Sequence, residues 1–221
     1  HSGQYMCMAG SWDNALKIVN TTTGAVELSI ASGQDVVTCV CVSEDDSLVV
    51  TGSQDNSVVV YTLDYSSGAP HLVSKKTLFG HDGAVTCVAV NKKMGLMCSG
   101  SEDGTIIVYS LSSTMYLRTI FDPDFDKKLS AMPAVSWCDV TNEGNIVWYS
   151  KTDFKFHMYS LLGEKLFEKE MNSQLNSICL SNDRQYVLAA VEERYGGEGV
   201  PASFAQVGMR GELNGSFRIF T

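Results

Sequence analysis

One short phrase recurs three times in this chain: Gly10-Ser11-Trp12-Asp13-Asn14, Gly52-Ser53-Gln54-Asp55-Asn56 and Gly100-Ser101-Glu102-Asp103-Gly104. Each copy follows a short apolar run and precedes a second run that is alternating or β-branched, as in Val58-Val59-Val60-Tyr61 and Ile106-Ile107-Val108-Tyr109. The copies lie 42 and 48 residues apart, a period that fits one small four-stranded sheet per unit. An Asp-Gly pair between two such runs makes a tight turn, because glycine accepts positive φ and the aspartate can bond the backbone that follows it.

Laid out on this period, the third unit carries strands at about 84–90, 96–99, 105–111 and 114–121. The second repeats the order with Val36 to Val42, Leu48 to Thr51, Ser57 to Leu63 and about Leu72 to Leu78. A fourth unit keeps the strand rhythm but lacks the aspartate phrase, and takes its turns from Thr141-Asn142-Glu143-Gly144 and Leu162-Gly163. The fold expected is all-β: an incomplete part of a β-propeller of about seven blades, with about five blades or partial blades present. The units run 5–31, 34–79, 80–121, 130–170 and 174–221, the last with an insertion at 192–212 ahead of a strand at Phe217 to Phe220. The first unit opens on what reads as a second strand, so upstream blades are expected to be missing and the open end to need cover.

Lysine plus arginine number 16 against 25 aspartate plus glutamate, a formal charge of -9 that opposes broad nucleic-acid or anionic-membrane binding. No apolar stretch is long enough to cross a bilayer, so any membrane association is expected to be indirect, through partners. Of the seven cysteines, Cys39, Cys41 and Cys87 sit inside apolar strand-like runs, which predicts free core thiols in a reducing, cytoplasmic compartment. There is no Cys-x-x-Cys pair and the four histidines are isolated, so neither a metal nor another cofactor is expected. Asp122-Pro123-Asp124-Phe125-Asp126 lacks the glycine and later glutamate of a calcium loop and reads as a solvated connection.

Polar residues within the strands are expected to brace the blades. In the third unit an Asp103 carboxylate can hold His81, whose other nitrogen can bond Ser99, whose hydroxyl can approach Tyr109. This resembles part of a hydrolytic triad, but no nucleophile elbow or oxyanion glycine loop accompanies it. The second unit supplies Thr51, Asp55 and Tyr61 with Gly33 in the histidine place; the first retains only Asp13. A binding surface is therefore expected ahead of a reaction, with no catalytic residue, and Trp12, Tyr195 and Phe204 are the candidate partner-binding anchors. Gly196-Gly197-Glu198-Gly199 lacks the strand and helix that a phosphate cradle needs.

The Gly80-His81 start, the Ser99-to-Thr105 turn and Tyr109 resemble a WD40 repeat with tyrosine in place of the usual tryptophan. Three passages carry a closer resemblance, to the carboxy-terminal WD40 propeller of BEACH-domain proteins of the neurobeachin, LRBA and Beige-like family. They are Gly10-Ser11-Trp12-Asp13-Asn14-Ala15-Leu16-Lys17-Ile18-Val19, Gly80-His81-Asp82-Gly83-Ala84-Val85-Thr86-Cys87-Val88-Ala89-Val90 and Phe156-His157-Met158-Tyr159-Ser160-Leu161-Leu162-Gly163-Glu164-Lys165-Leu166. The resemblance implies a propeller beside a BEACH domain in a large cytosolic scaffold, peripheral on endomembranes or vesicles, that works in vesicle trafficking, protein sorting or autophagy. It implies protein partners and supplies no catalytic residue. A propeller-fold hydrolase and simple structural support for the adjacent BEACH domain are the competing expectations.

Overall fold

The structure, a computed structural model, describes residues 3–9, 13–31, 35–66, 68–122, 133–171, 175–191 and 204–208, with Val191 and 204–208 described by backbone alone. Every regular element among them is a strand, and each sheet is antiparallel. The first sheet takes β1 (Tyr5–Met8), β2 (Ala15–Asn20) and β3 (Val26–Ala31). The second takes β4 (Val37–Val42), β5 (Leu48–Ser53), β6 (Val58–Asp64) and β7 (His71–Leu78), and the third β8 (Val85–Asn91), β9 (Leu96–Ser101), β10 (Ile106–Ser110) and β11 (Met115–Ile120). The fourth holds β12 (Val135–Val140), β13 (Ile146–Ser150), β14 (Lys155–Tyr159) and β15 (Lys165–Glu170). The fifth holds β16 (Leu175–Leu180), β17 (Tyr186–Val191) and β18 (Phe204–Gly208). Among the described residues no strand joins the first sheet to the fifth, so these blades form an open arc of a propeller.

The core lies between the blades. On β10, Ile106 and Val108 pack toward the fourth blade while Ile107 and Tyr109 pack toward the second. This two-sided burial explains why the run Ile106-Ile107-Val108-Tyr109 is apolar at every position: alternate side chains point to opposite faces, and here both faces meet a neighbouring sheet. Leu16 and Ile18 meet Val59 and Tyr61 between the first two blades, and Val147, Tyr149 and Phe156 meet Leu175 and Val187 between the last two.

The recurring aspartate turns form for the reason their sequence gives. Asn14, Asn56 and Gly104 follow their aspartates at φ 54°, 68° and 78°, the left-handed region that glycine and asparagine tolerate best. Behind each, an aspartate oxygen accepts the backbone N–H two residues on: Asp13 from Ala15 at 3.3 Å, Asp55 from Ser57 at 2.9 Å and Asp103 from Thr105 at 2.8 Å.

Two sequence expectations need correction. The fourth unit does keep the aspartate turn: Asp153 accepts from the Lys155 N–H at 3.3 Å, and Phe154 takes the left-handed place at φ 58°. An extra residue between Ser150 and Asp153, and phenylalanine where the other copies have asparagine or glycine, hid it. In the fifth unit, β18 lies inside the segment 192–212 and pairs with β17 in the register Val187↔Val207. The stretch Phe204-Ala205-Gln206-Val207-Gly208 is short and uncharged, compatible with a strand, and Phe217 to Phe220 falls outside the described residues.

Candidate functional site

Three polar constellations and one apolar surface emerge from this frame. In the third blade His81 enters from the connection before β8 and reaches the β9–β10 turn. Its Nδ1 lies 3.1 Å from Asp103 Oδ2 and its Nε2 2.8 Å from Ser99 Oγ. Asp103 also accepts from the Thr105 hydroxyl at 2.6 Å and from the Asp82 N–H at 2.9 Å. Burial raises the Asp103 pKa, but the bonds from His81, Thr105 and Asp82 outweigh it and hold the carboxyl well below the usual carboxylate range. Tyr109 is buried beside Ser99, yet its hydroxyl makes no hydrogen bond among the described residues, so the chain of bonds stops at Ser99. Burial is the main reason its pKa rises.

This arrangement is closed to a substrate. Ser99 has no exposed surface, the His81 side chain is 1% exposed, and the Ser99 hydroxyl is engaged by the imidazole from inside the sheet. A nucleophile has to reach the bond it attacks. In the second blade Asp55 accepts from the Ser57 hydroxyl at 2.5 Å, with Thr51 and Tyr61 buried on β5 and β6. In the first, Asp13 pairs with Lys17 at 2.6 Å, near the surface. Trp12 and Tyr195 lie outside the described residues, and Phe204 opens β18, described by backbone alone.

Other bracing residues escaped the sequence reading. Thr38 and Thr86 hold equivalent places on β4 and β8, and each hydroxyl donates to a carbonyl at the start of the next blade, Val85 and Val135. At the opposite end of these inner strands, Asn91 Nδ2 donates to the Val140 and Thr141 carbonyls at 3.1 Å each, and Asn142 Nδ2 to the Asp183 carbonyl at 3.0 Å. Arg184 gathers four blades. From the β16–β17 turn it donates to Asp139 and the Val140 carbonyl at 2.7 Å, the Val90 carbonyl at 2.8 Å and Glu44 at 2.9 Å. The signals were in the chain, as the repeated Val-Thr-Cys and as an arginine within a turn, but the partners are 41 to 140 residues away.

The apolar surface runs along the outside. On β11, Met115, Tyr116 and Leu117 are exposed in succession, Tyr116 at 60%. Leu162, 70% exposed, follows on the fourth blade, where Arg118 donates to its carbonyl. Phe79 and Phe121, which directly follow the outer strands of the second and third blades, are 74% and 50% exposed. Phe79 also borders a cavity of about 610 Å³ between the first two blades, lined on its polar side by Asp55, Ser57 and Thr77. Exposed aromatics at matching blade positions are the kind of surface that protein partners use.

Comparison with known proteins extends this geometry. BEACH domain-containing protein B of Arabidopsis thaliana is 28% identical over 235 residues, a match that takes in 98% of this chain and 9% of that protein. Shorter similarities reach an uncharacterized WD repeat-containing protein, C126.01c, of Schizosaccharomyces pombe, 36% identical over 72 residues, 33% of this chain and 18% of that protein. Transcription factor unc-37 of Caenorhabditis elegans is 37% identical over 65 residues, 29% of this chain and 10% of that protein. The chain thus spans a small fraction of each relative's own length. The family model described as the neurobeachin beta propeller domain matches residues 1–197. That match crosses four blades and reaches into the fifth, and the chain therefore belongs to the neurobeachin propeller family, a WD40-type propeller related to BEACH-domain proteins.

Proposed function

We propose that this propeller is a non-catalytic protein-interaction scaffold that serves a BEACH-domain protein in vesicle trafficking, protein sorting or autophagy, on the cytoplasmic side of endomembranes. The observation that carries the reading is the contrast between inside and outside. The triad-like polar set of the third blade is closed off and used up in holding strands together, while large apolar side chains stand in water on β11 and at Phe79 and Phe121. Repeated blades hold such side chains on a stiff body, which lowers the ordering cost of recognition. Trp12, Tyr195 and Phe204 are the further partner-binding anchors that the sequence itself offers. The formal charge of -9 favours protein partners over nucleic acid or direct contact with anionic lipid.

The test uses the intact BEACH-containing protein. Tyr116→Asp and Phe121→Ser, singly and together, are compared with wild type by proximity labelling in cells and by thermal unfolding. Loss of a defined set of neighbours at unchanged melting temperature supports recruitment through this surface. Neighbours unchanged in the folded double variant overturn it, and weakened contact with the BEACH portion alone would reassign the surface to structural support.

A further inference from the structure

The fourth blade holds a polar cluster that the bracing scheme of the third does not explain. His157, on β14, is fully buried and stacks on Trp148 with ring centroids 4.0 Å apart. Neither of its ring nitrogens has a hydrogen-bond partner among the described residues. Asp122, buried where the chain crosses from the third blade to the fourth, and Glu168, on β15, face the same space. One donor atom from each of the three lies within 4.8 Å of the others, and His157 Nδ1 is 3.7 Å from Glu168 Oε2.

A buried imidazole with both nitrogens unpaired loses the hydration of a donor and an acceptor without recompense. Two carboxylates beside it change what that vacancy is suited to. We infer that Asp122, His157 and Glu168 form a binding site for a single divalent transition-metal ion, zinc being the best match to one imidazole and two carboxylates. Magnesium and calcium prefer all-oxygen shells, whereas zinc takes nitrogen and oxygen together at about 2.0–2.2 Å in a tetrahedron. Ligand atoms in such a tetrahedron stand about 3.4 Å apart, so the present spread closes through modest side-chain rotation. Three protein ligands leave the fourth position to water.

Lysines now share the carboxylates. Lys165 Nζ is 3.4 Å from Asp122 Oδ1 and also pairs with Glu168, and Lys155 Nζ is 2.9 Å from Glu168 Oε1. Both lysine side chains are partly exposed and can swing outward, so they compete with the metal without blocking it. The ion would join the end of the third blade to the two outer strands of the fourth. The histidine and the two acids look unrelated in the sequence because the ligands are 35 and 11 residues apart and come from three different segments.

The full chain, stripped with a chelator, is titrated with Zn²⁺ in competition with a chromophoric chelator, and with Co²⁺ for its visible spectrum. The expected result is one ion per chain, with cobalt bands of nitrogen and oxygen ligation and no sulfur-to-cobalt band. That spectrum matters because Cys87, Cys98 and Cys138 lie together between the same two blades, with Cys98 and Cys138 sulfurs 3.6 Å apart. His157→Phe keeps a ring against Trp148 and should abolish binding, and Glu168→Gln, at a partly exposed position, should weaken it at least about tenfold. Lys165→Met removes a competitor and should tighten it. Circular dichroism and metal-free melting establish that each variant is folded. A folded wild type that takes up no stoichiometric ion, a thiolate spectrum, or equal affinity in Glu168→Gln and wild type overturns the assignment.

Discussion

Tyr109 and Ser99 show how much rests on a single hydroxyl. The sequence places both in one polar chain, and His81, Asp103 and Ser99 do bond in series, but the Tyr109 hydroxyl is buried without a hydrogen-bond partner among the described residues. Removing an unsatisfied buried hydroxyl is neutral or favourable, so Tyr109→Phe should leave stability unchanged or raise it by up to about 1 kcal/mol in urea unfolding. A loss of that size instead would mean that Ser99 and Tyr109 do bond. His81→Ala acts the other way: it strands the Ser99 hydroxyl and removes a donor from Asp103, at an expected cost of about 2–3 kcal/mol. The acid side follows from Asp103. Its folded pKa lies below the unfolded value of about 3.9, so its stabilising effect is complete well above that pH and is lost as pH falls toward the folded pKa. The stability gap between wild type and Asp103→Asn should therefore be constant near neutrality and shrink progressively below about pH 4. Thiol chemistry is graded by burial as well. Burial pushes Cys39 up to about 12 and Cys41 up to about 11, contact with Cys87 and Cys98 together with burial raises Cys138, and Cys179 alone among the cysteines is exposed. Since thiolate is the reactive form, a disulfide reagent at pH 8 should label Cys179 rapidly in the native chain and all seven cysteines only in denaturant.

At the scale of the strand and its turn, the glycine of the recurring phrase has a second task. Gly52 and Gly100 lie inside β5 and β9, ahead of the turn, and the following blade presses directly on them. A Cβ at Gly100 would stand 2.5 Å from Val135 Cγ1 and 2.7 Å from Cys87 Sγ, and one at Gly52 would stand 2.4 Å from Val85 Cγ1. Gly100→Ala should thus force the third and fourth blades apart and cost about 1–3 kcal/mol, with partial recovery when Val135→Ala is added. Full additivity of the two changes in urea unfolding would show that the blades do not meet there. The fourth blade has solved the same contact differently. Tyr149 pairs with Trp137 where the third blade pairs Gly100 with Cys87, and its hydroxyl accepts the Leu175 N–H of the next blade at 3.3 Å. Strand rhythm and aspartate turns were legible because they are local: period, β-branching and a left-handed residue are all written within ten positions. The glycine's packing role was not, because its partner is in the next unit. Asp153 was missed since one added residue and a phenylalanine at positive φ obscure a turn whose hydrogen bond is nonetheless kept. The cluster of Asp122, His157 and Glu168 was illegible for the same reason as the glycine contact, as its three ligands meet only after two blades have packed.

For the molecule as a whole, the arc of blades needs something to fix their mutual angles, and Arg184 occupies the point where four of them converge. Its place in the turn is not the one a backbone would choose for arginine. Arg184 sits at φ 54°, and the matching turn positions of the third and fourth blades are Gly95 at φ 66° and Gly144 at φ 81°. Arginine is strained there by about 1 kcal/mol relative to glycine. Arg184→Gly relieves that strain, and on local grounds it should stabilise. It also removes a guanidinium whose side chain is 12% exposed from Asp139, which is itself mostly buried, and from two backbone carbonyls. Burial raises the Asp139 pKa even with Arg184 opposing it, so without the arginine the carboxyl should take up a proton at still higher pH. Breaking a mostly buried pair costs more than a turn residue recovers, and the expected net loss is about 1–3 kcal/mol, screened on the Glu44 side where the carboxylate is exposed. Asp139→Asn in the same background separates the contributions, because it removes the stranded charge while keeping the shape, and should restore part of the loss. If Arg184→Gly proves more stable than wild type in equilibrium unfolding, the four-blade junction contributes nothing and the blades hold their angles through apolar packing and the threonine and asparagine bonds between neighbouring blades.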